Sequence, residues 1–294
     1  MYNFDKEKRD KGAKMKVKIL GSGGGESFPA SFCSCAHCEQ ARKAGGKSLR
    51  TLSQTLIGDD LLIDFPSDTD SHCLRYGLNL GKIENVLITH AHLDHFLPPA
   101  VNYRGGFGAH NMPCEKIYFY GPTNLEKMFD AVHSVYGIAA SVRENVCFVA
   151  LEDKKPVQIG GYTVTALTAA HAPQLGSLNY VIERDGKSLL YLLDSGYPTE
   201  ETLAYLERRN QVFDCVIMDA TMGVAPAKTY IYHMGFEEDK ALKEELLQRK
   251  IADKHTKFIA THFTHNKAET HDKIEAIFAG TDIVTAYDGY ETEI

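Results

Sequence analysis

No apolar run in this 294-residue chain approaches the ~18 residues of a membrane span, so no membrane partner is expected. A basic excess is missing too: 32 Lys and Arg against 39 Asp and Glu leave a formal net charge of -7. That balance offers no footprint for a long nucleic acid. No Pro/Gly/Ser-rich linker, charge block or clear internal repeat divides the sequence. A single domain over residues 15–294 is therefore expected, long enough to bury a substantial core. Residues 1–14 are charged and lack the apolar centre of a secretory signal, so they are expected to be disordered or loosely docked, with Met15 an alternative start. Seven cysteines, an odd number with three between positions 33 and 38, do not suit a disulfide framework. Reduced thiols, metal binding and a cytoplasmic location fit better.

What is present is a concentration of metal-capable side chains. His90-Ala91-His92-Leu93-Asp94-His95 places four such groups in six residues, directly after the apolar run Val86–Thr89. Imidazole with carboxylate suits zinc, manganese or iron, and two interleaved pairs can serve two adjacent ions.

Short strand-like runs surround this segment: 17–20, 55–57, 61–63, 86–89, 117–120, 146–150, 162–168, 179–183, 188–193, 212–218 and 258–260. Helical periodicity covers 124–135, 200–208, 237–248 and 267–278, each opening near an Asn, Thr or acidic residue. Many strands followed by alternating strands and helices predict an α/β fold, an αββα sandwich of two mixed sheets with helices outside. His171, Asp194 and His262 then fall at strand exits, where a loop can hold them rigidly.

A second cluster, Cys33-Ser34-Cys35-Ala36-His37-Cys38, can wrap one ion, since three thiolates and one imidazole make a closed tetrahedral zinc site. His37 is wedged between two ligand cysteines, so a distant histidine is preferable. Cys73, Cys114, Cys147 and Cys215 lie in apolar surroundings and read as core. The glycines of 21–25 lack the lysine and spacing of a P-loop and are expected to turn the chain close under the metal site. Arg104, in a glycine-containing loop, is a candidate to fork onto a substrate phosphate.

THAHLDH, the downstream His171, LLDSG around Asp194 and THFTH around His262 resemble the metallo-β-lactamase fold superfamily over nearly the whole chain after Met15. The resemblance implies one ion on His90, His92 and His171, another on Asp94, His95 and His262, and Asp194 bridging both. It also implies that Asp64 orients a ligand histidine from behind. Within the branch carrying C-x-C-x-x-C, it implies that His265 completes a structural zinc with Cys33, Cys35 and Cys38.

CSCAHC, THAHLDH, Asp219 in VIMD, His233, THFTH and the closing Tyr287-Asp288-Gly289 further resemble the phosphoribosyl cyclic phosphate phosphodiesterases of the carbon-phosphorus lyase pathway. The function implied is a binuclear phosphodiesterase acting on a small, even cyclic, phosphodiester. Two divalent ions, Mn2+ or Zn2+ with Fe2+ also admissible, would share a hydroxide as nucleophile, with Asp94 steering its proton. His233, made more basic by Asp219, would protonate the leaving group. Relatives that hydrolyse lactones, β-lactams, thioesters or tRNA 3′ ends share the metal ligands, and non-catalytic metal-binding accessory proteins share the cysteine segment. The expected partner is a small phosphodiester, and a homodimer is compatible with the sequence.

Overall fold

A computed structural model describes residues 14–106, 108–267 and 269–294. The expectation for the N-terminal extension falls on residues 1–13, outside the described residues, and on Lys14, which pairs with Glu293 at 2.5 Å. The chain runs through β1 (Lys16–Gly21), β2 (Gln54–Ile57), β3 (Leu61–Ile63), β4 (Asn85–Leu87), β5 (Ile117–Gly121) and β6 (Val146–Ala150). It continues through β7 (Pro156–Ile159), β8 (Tyr162–Thr168), β9 (Leu178–Arg184), β10 (Lys187–Leu192), β11 (Cys215–Asp219), β12 (Lys257–Thr261), β13 (Ile283–Thr285) and β14 (Glu291–Glu293).

These strands form two seven-stranded sheets, ordered β14-β1-β2-β3-β4-β5-β6 and β13-β12-β11-β10-β9-β8-β7. Each sheet pairs antiparallel at its start and parallel from its middle onward, β3 to β6 in one and β10 to β13 in the other. The two halves of the chain thus repeat one topology that the sequence does not display. β14 returns to lie against β1, and Met15 exchanges backbone hydrogen bonds with Ile294.

Seven α-helices, α1 (Ala36–Ala44), α2 (Thr69–Tyr76), α3 (Leu125–Tyr136), α4 (Ala140–Arg143), α5 (Glu200–Arg208), α6 (Phe236–Gln248) and α7 (His271–Phe278), and four short 3-10 turns complete the described elements. The apolar strands explain the layering. In β10, Leu189 and Tyr191 join Ile57, Leu61 and Ile63 in the layer between the sheets, whereas Leu190 and Leu192 face Leu203 of α5 and Leu242 of α6. A strand covered on both faces reads as an unbroken apolar run. Phe119 and Val86 pack outward against Phe129 of α3, giving the fourth layer. The architecture is the expected αββα sandwich.

Several boundaries differ from the sequence expectation. β7, β13 and β14 were not anticipated, nor were α1, α2 and α4. The strand expected from 212 begins at Cys215, because the Phe213 amide bonds Ile251 instead of a neighbouring strand. The helix expected from 267 begins at His271, because the Lys267 carbonyl accepts from Val224 in the loop ahead of it. Cys215 is buried as expected, but Cys73, Cys114 and Cys147 are partly exposed. Among the described residues, no helix is long and apolar enough to cross a membrane.

Candidate metal centre

Asp64, His90, His171, Asp194, Asp219 and His262 all end a strand or follow one closely, and they gather where the two sheets open. Three of them take backbone conformations that side chains seldom adopt: Asp64, Asp194 and His262 have φ of 65°, 49° and 67°. Such left-handed residues cost energy and persist where surrounding structure over-determines them, commonly at functional sites.

Two groups of converging ligand atoms could each hold an ion, His90, His92, His171 and Asp194 in one and Asp94, His95, Asp194 and His262 in the other. Asp194 Oδ2 belongs to both, lying 3.2 Å from His90 Nε2, 3.4 Å from His171 Nε2 and 3.1 Å from His95 Nε2. His92 Nδ1 sits 2.7 Å from His90 Nε2 and 3.3 Å from His171 Nε2. On the other side, His262 Nε2 and His95 Nε2 are 3.2 Å apart, and Asp94 Oδ2 is 3.2 Å from His95 Nε2. Ring nitrogens crowded this closely around common points, with carboxylates beside them, are a donor set that suits divalent cations. The cluster is consistent with a binuclear metal site.

His90, His95, His171 and His262 are each held from behind, but by different groups. His95 Nδ1 meets Asp64 Oδ2 at 2.7 Å. His262 Nδ1 meets Thr221 Oγ1 at 2.7 Å and Asp219 Oδ1 at 3.2 Å. By contrast His90 Nδ1 faces the Thr89 hydroxyl at 3.1 Å and His171 Nδ1 the Tyr232 carbonyl at 3.3 Å. The second position therefore has carboxylate-backed imidazoles, which are the more basic ligands. Burial pushes His90 down and His171 down to about 4, keeping both neutral as ligands must be. Burial acts the same way on His95, but Asp94 and Asp64 overcome it and hold the ring well above the usual histidine range.

His233 enters the same cluster, its Nδ1 3.0 Å from Asp194 Oδ1 but not aligned for a hydrogen bond. Asp219 Oδ2 is 3.7 Å away and accepts from the Met234 amide at 2.8 Å. Asp219 thus lies closer to His262 than to His233, the partner that the sequence resemblance implied. Tyr230 stacks on the His233 ring with centroids 5.5 Å apart. The segment is pressed onto Gly196, where a Cβ would lie 1.9 Å from the Ile231 carbonyl.

Arg104 is not part of this centre. Its Nη2 donates to the carbonyls of Cys114, Glu115 and Lys116 at 2.7, 3.2 and 3.2 Å, and it lines a separate cavity of about 420 Å³ with Phe65, Leu80 and His110. The expected phosphate contact is therefore not brought to the metal cluster, and Nη2 of the guanidinium is taken up by backbone carbonyls.

Besides the overlapping set of Asp194, Asp219, His233 and His262, a separate group brings Cys33, Cys35, Cys38 and His265 together, a set that could hold a metal ion. The thiols wrap the start of α1, and His265 Nδ1 lies 3.8 Å from Cys35 Sγ. The Cys38 amide, and then His265, lower the Cys35 thiol to about 6, while burial raises Cys38 to about 11. His37 points elsewhere, 3.9 Å from Glu269. The glycines of 21–25 do lie against the centre, as expected, whereas the parts of Thr89, Thr221, the Tyr232 carbonyl and Glu26 in holding the ligands were missed from sequence. Of these only Thr89, directly before His90, left a local trace.

A buried His/Asp cluster at the strand ends of an αββα sandwich defines a metal-dependent hydrolase of the metallo-β-lactamase fold. The sequence model of the β-lactamase superfamily domain matches residues 69–263, well over half of the chain, and the chain belongs to that superfamily. A ribonuclease Z of Staphylococcus carnosus is 27% identical over 124 residues, covering 42% of this chain and 38% of that protein. The chain thus spans well under two-thirds of that relative. Among solved structures, a diphosphatase of the PhnP family superposes with a TM-score of 0.71 at 21% identity, covering 96% of this chain and 98% of that one. Zn2+-bound PqqB from Methylobacterium extorquens superposes with a TM-score of 0.72 at 17% identity, covering 95% and 100%.

Proposed function

We propose that the protein is a binuclear metal-dependent phosphodiesterase for a small phosphodiester. His90, His92 and His171 would hold one ion, Asp94, His95 and His262 the other, and Asp194 both. When bound, two such ions supply positive charge for the phosphate oxygens and a lowered pKa for the attacking water. Asp64 and Asp219 keep His95 and His262 in the tautomer that leaves Nε2 directed at the centre.

The observation that carries the reading is His233. It stands at the rim of the ligand cluster with Nδ1 toward Asp194 and Asp219, which leaves Nε2 to give a proton to an alkoxide leaving group. An ester with a poor leaving group needs such a donor. The ribonuclease Z relative supports the phosphodiester class. A net charge of -7 favours a small substrate over a long nucleic acid.

The test is turnover of bis(p-nitrophenyl) phosphate against nitrocefin and a thioester after loading with manganese or zinc. Phosphodiester turnover is expected, and activity on none of the three overturns the reading in favour of an accessory role. His233→Ala should keep its metals and its rate on p-nitrophenyl esters, yet lose about 10²–10⁴-fold on an alkyl phosphodiester.

A further inference from the structure

Three consecutive residues, Gly24, Gly25 and Glu26, each touch a different candidate ligand. At Gly24 a Cβ would fall 2.4 Å from Cε1 of the His262 ring, so only glycine lets the chain lie flat against that imidazole. The Gly25 amide donates to Asp94 Oδ2 at 2.9 Å, on the oxygen that faces the centre. Glu26 Oε1 pairs with His265 Nε2, while the other ring nitrogen of His265 faces Cys35 Sγ. His262 and His265 themselves share one short segment whose Phe263 carbonyl accepts from the Gly24 amide at 3.1 Å. Two strands of chain, 24–26 and 262–265, therefore run side by side, and each reaches both the cysteine cluster and the Asp94/His95/His262 position.

We infer that Glu26 is a positioning residue for the Cys33/Cys35/Cys38/His265 metal site, and that through Gly24 and Gly25 occupancy of this site sets the affinity of the Asp94/His95/His262 position. The inference rests on the proposed metal reading of both clusters. A carboxylate on the far nitrogen of a ligand histidine fixes its tautomer and raises its basicity, a role distinct from that of an exposed ion pair, which contributes about 0–1 kcal/mol and would leave metal affinity unmoved. The His90/His92/His171 position touches none of these residues and shares only Asp194 with the other position, so it responds less. Linkage makes the effect mutual: filling the Asp94/His95/His262 position tightens the cysteine site by the same factor.

Cobalt titration of the full chain separates the sites, because the thiolate site gives a sulfur-to-cobalt charge-transfer band and the His/Asp positions give only ligand-field bands. In Glu26→Gln the charge-transfer band should titrate with an affinity about 10–100-fold weaker. One of the two ligand-field phases should weaken with it, and the other, which shares only Asp194 with it, should shift less. Cys35→Ser, which removes the thiolate site, should weaken chiefly the same phase. Wild-type midpoints in all three phases of Glu26→Gln overturn the positioning role. A weakened charge-transfer band with both ligand-field phases unmoved overturns the linkage. A wild-type chain that shows no charge-transfer band at all overturns the metal reading of the cysteine cluster, and so is told apart from either.

Discussion

Asp64 Oδ2 lies 2.7 Å from His95 Nδ1, and its other oxygen accepts from the Thr89 amide at 2.8 Å and the Thr89 hydroxyl at 3.0 Å. Both residues of this pair are fully buried. The carboxylate is thereby taken up in holding the imidazole and the start of the ligand loop. Asp64→Asn keeps the shape but places an amide where an acceptor is needed. Metal affinity at the Asp94/His95/His262 position should fall about 10–100-fold, with the His90/His92/His171 position retained, as read by metal content after graded chelation. Equal loss from both positions would show that Asp64 supports the loop as a whole and does not orient His95 selectively.

Asp239, in the first turn of α6, is fully buried, and neither carboxyl oxygen has a hydrogen-bond partner. Burial first, and then the nearby Asp219 and Glu238, raise its pKa well above the ordinary carboxylate value. The folded chain therefore keeps a proton that the unfolded chain has released, so stability falls as pH rises above the unfolded pKa of about 4. Asp239→Asn removes that penalty. Its melting temperature should exceed that of the wild type at pH 8 and match it more closely at pH 4.5, measured by calorimetry. A variant equally shifted at both values would refute the titration argument.

Arg104 supports backbone, so its removal should register in stability and not in substrate binding. Arg104→Met leaves the carbonyls of Cys114, Glu115 and Lys116 without that donor, and a loss of about 1–3 kcal/mol is expected. At roughly 2–4 °C per kcal/mol for a chain of this size class, the melting temperature drops measurably while KM for the phosphodiester is unchanged. A raised KM without a lower melting temperature would restore the phosphate-contact role.

Much of the centre was legible because its donors are crowded in sequence. His90 through His95 announce themselves within one loop, and the apolar runs before Asp194 and His262 mark strands whose ends must lie together if they run parallel in one sheet. The short edge strands β7, β13 and β14 carried too few residues for an alternating pattern to register. Arg104 misled because glycine neighbours indicate an approachable loop but not which way a guanidinium turns.

The sequence by itself determined which side chains are available: the strand-end histidines and aspartates, the clustered thiols and the apolar strands that force two covered sheets. Only the tertiary structure decided who stands behind whom. β11 and β12 pair in parallel with Asp219 opposite Thr261, which brings that carboxylate beside His262 more closely than His233. The glycine loop reaches Asp94, His262 and His265 because its residues bridge to Leu52 and Phe263. Strand register and loop packing are set by contacts between residues far apart along the chain. A hydrogen bond lost over a fraction of an ångström depends on that register, and no local spacing encodes it.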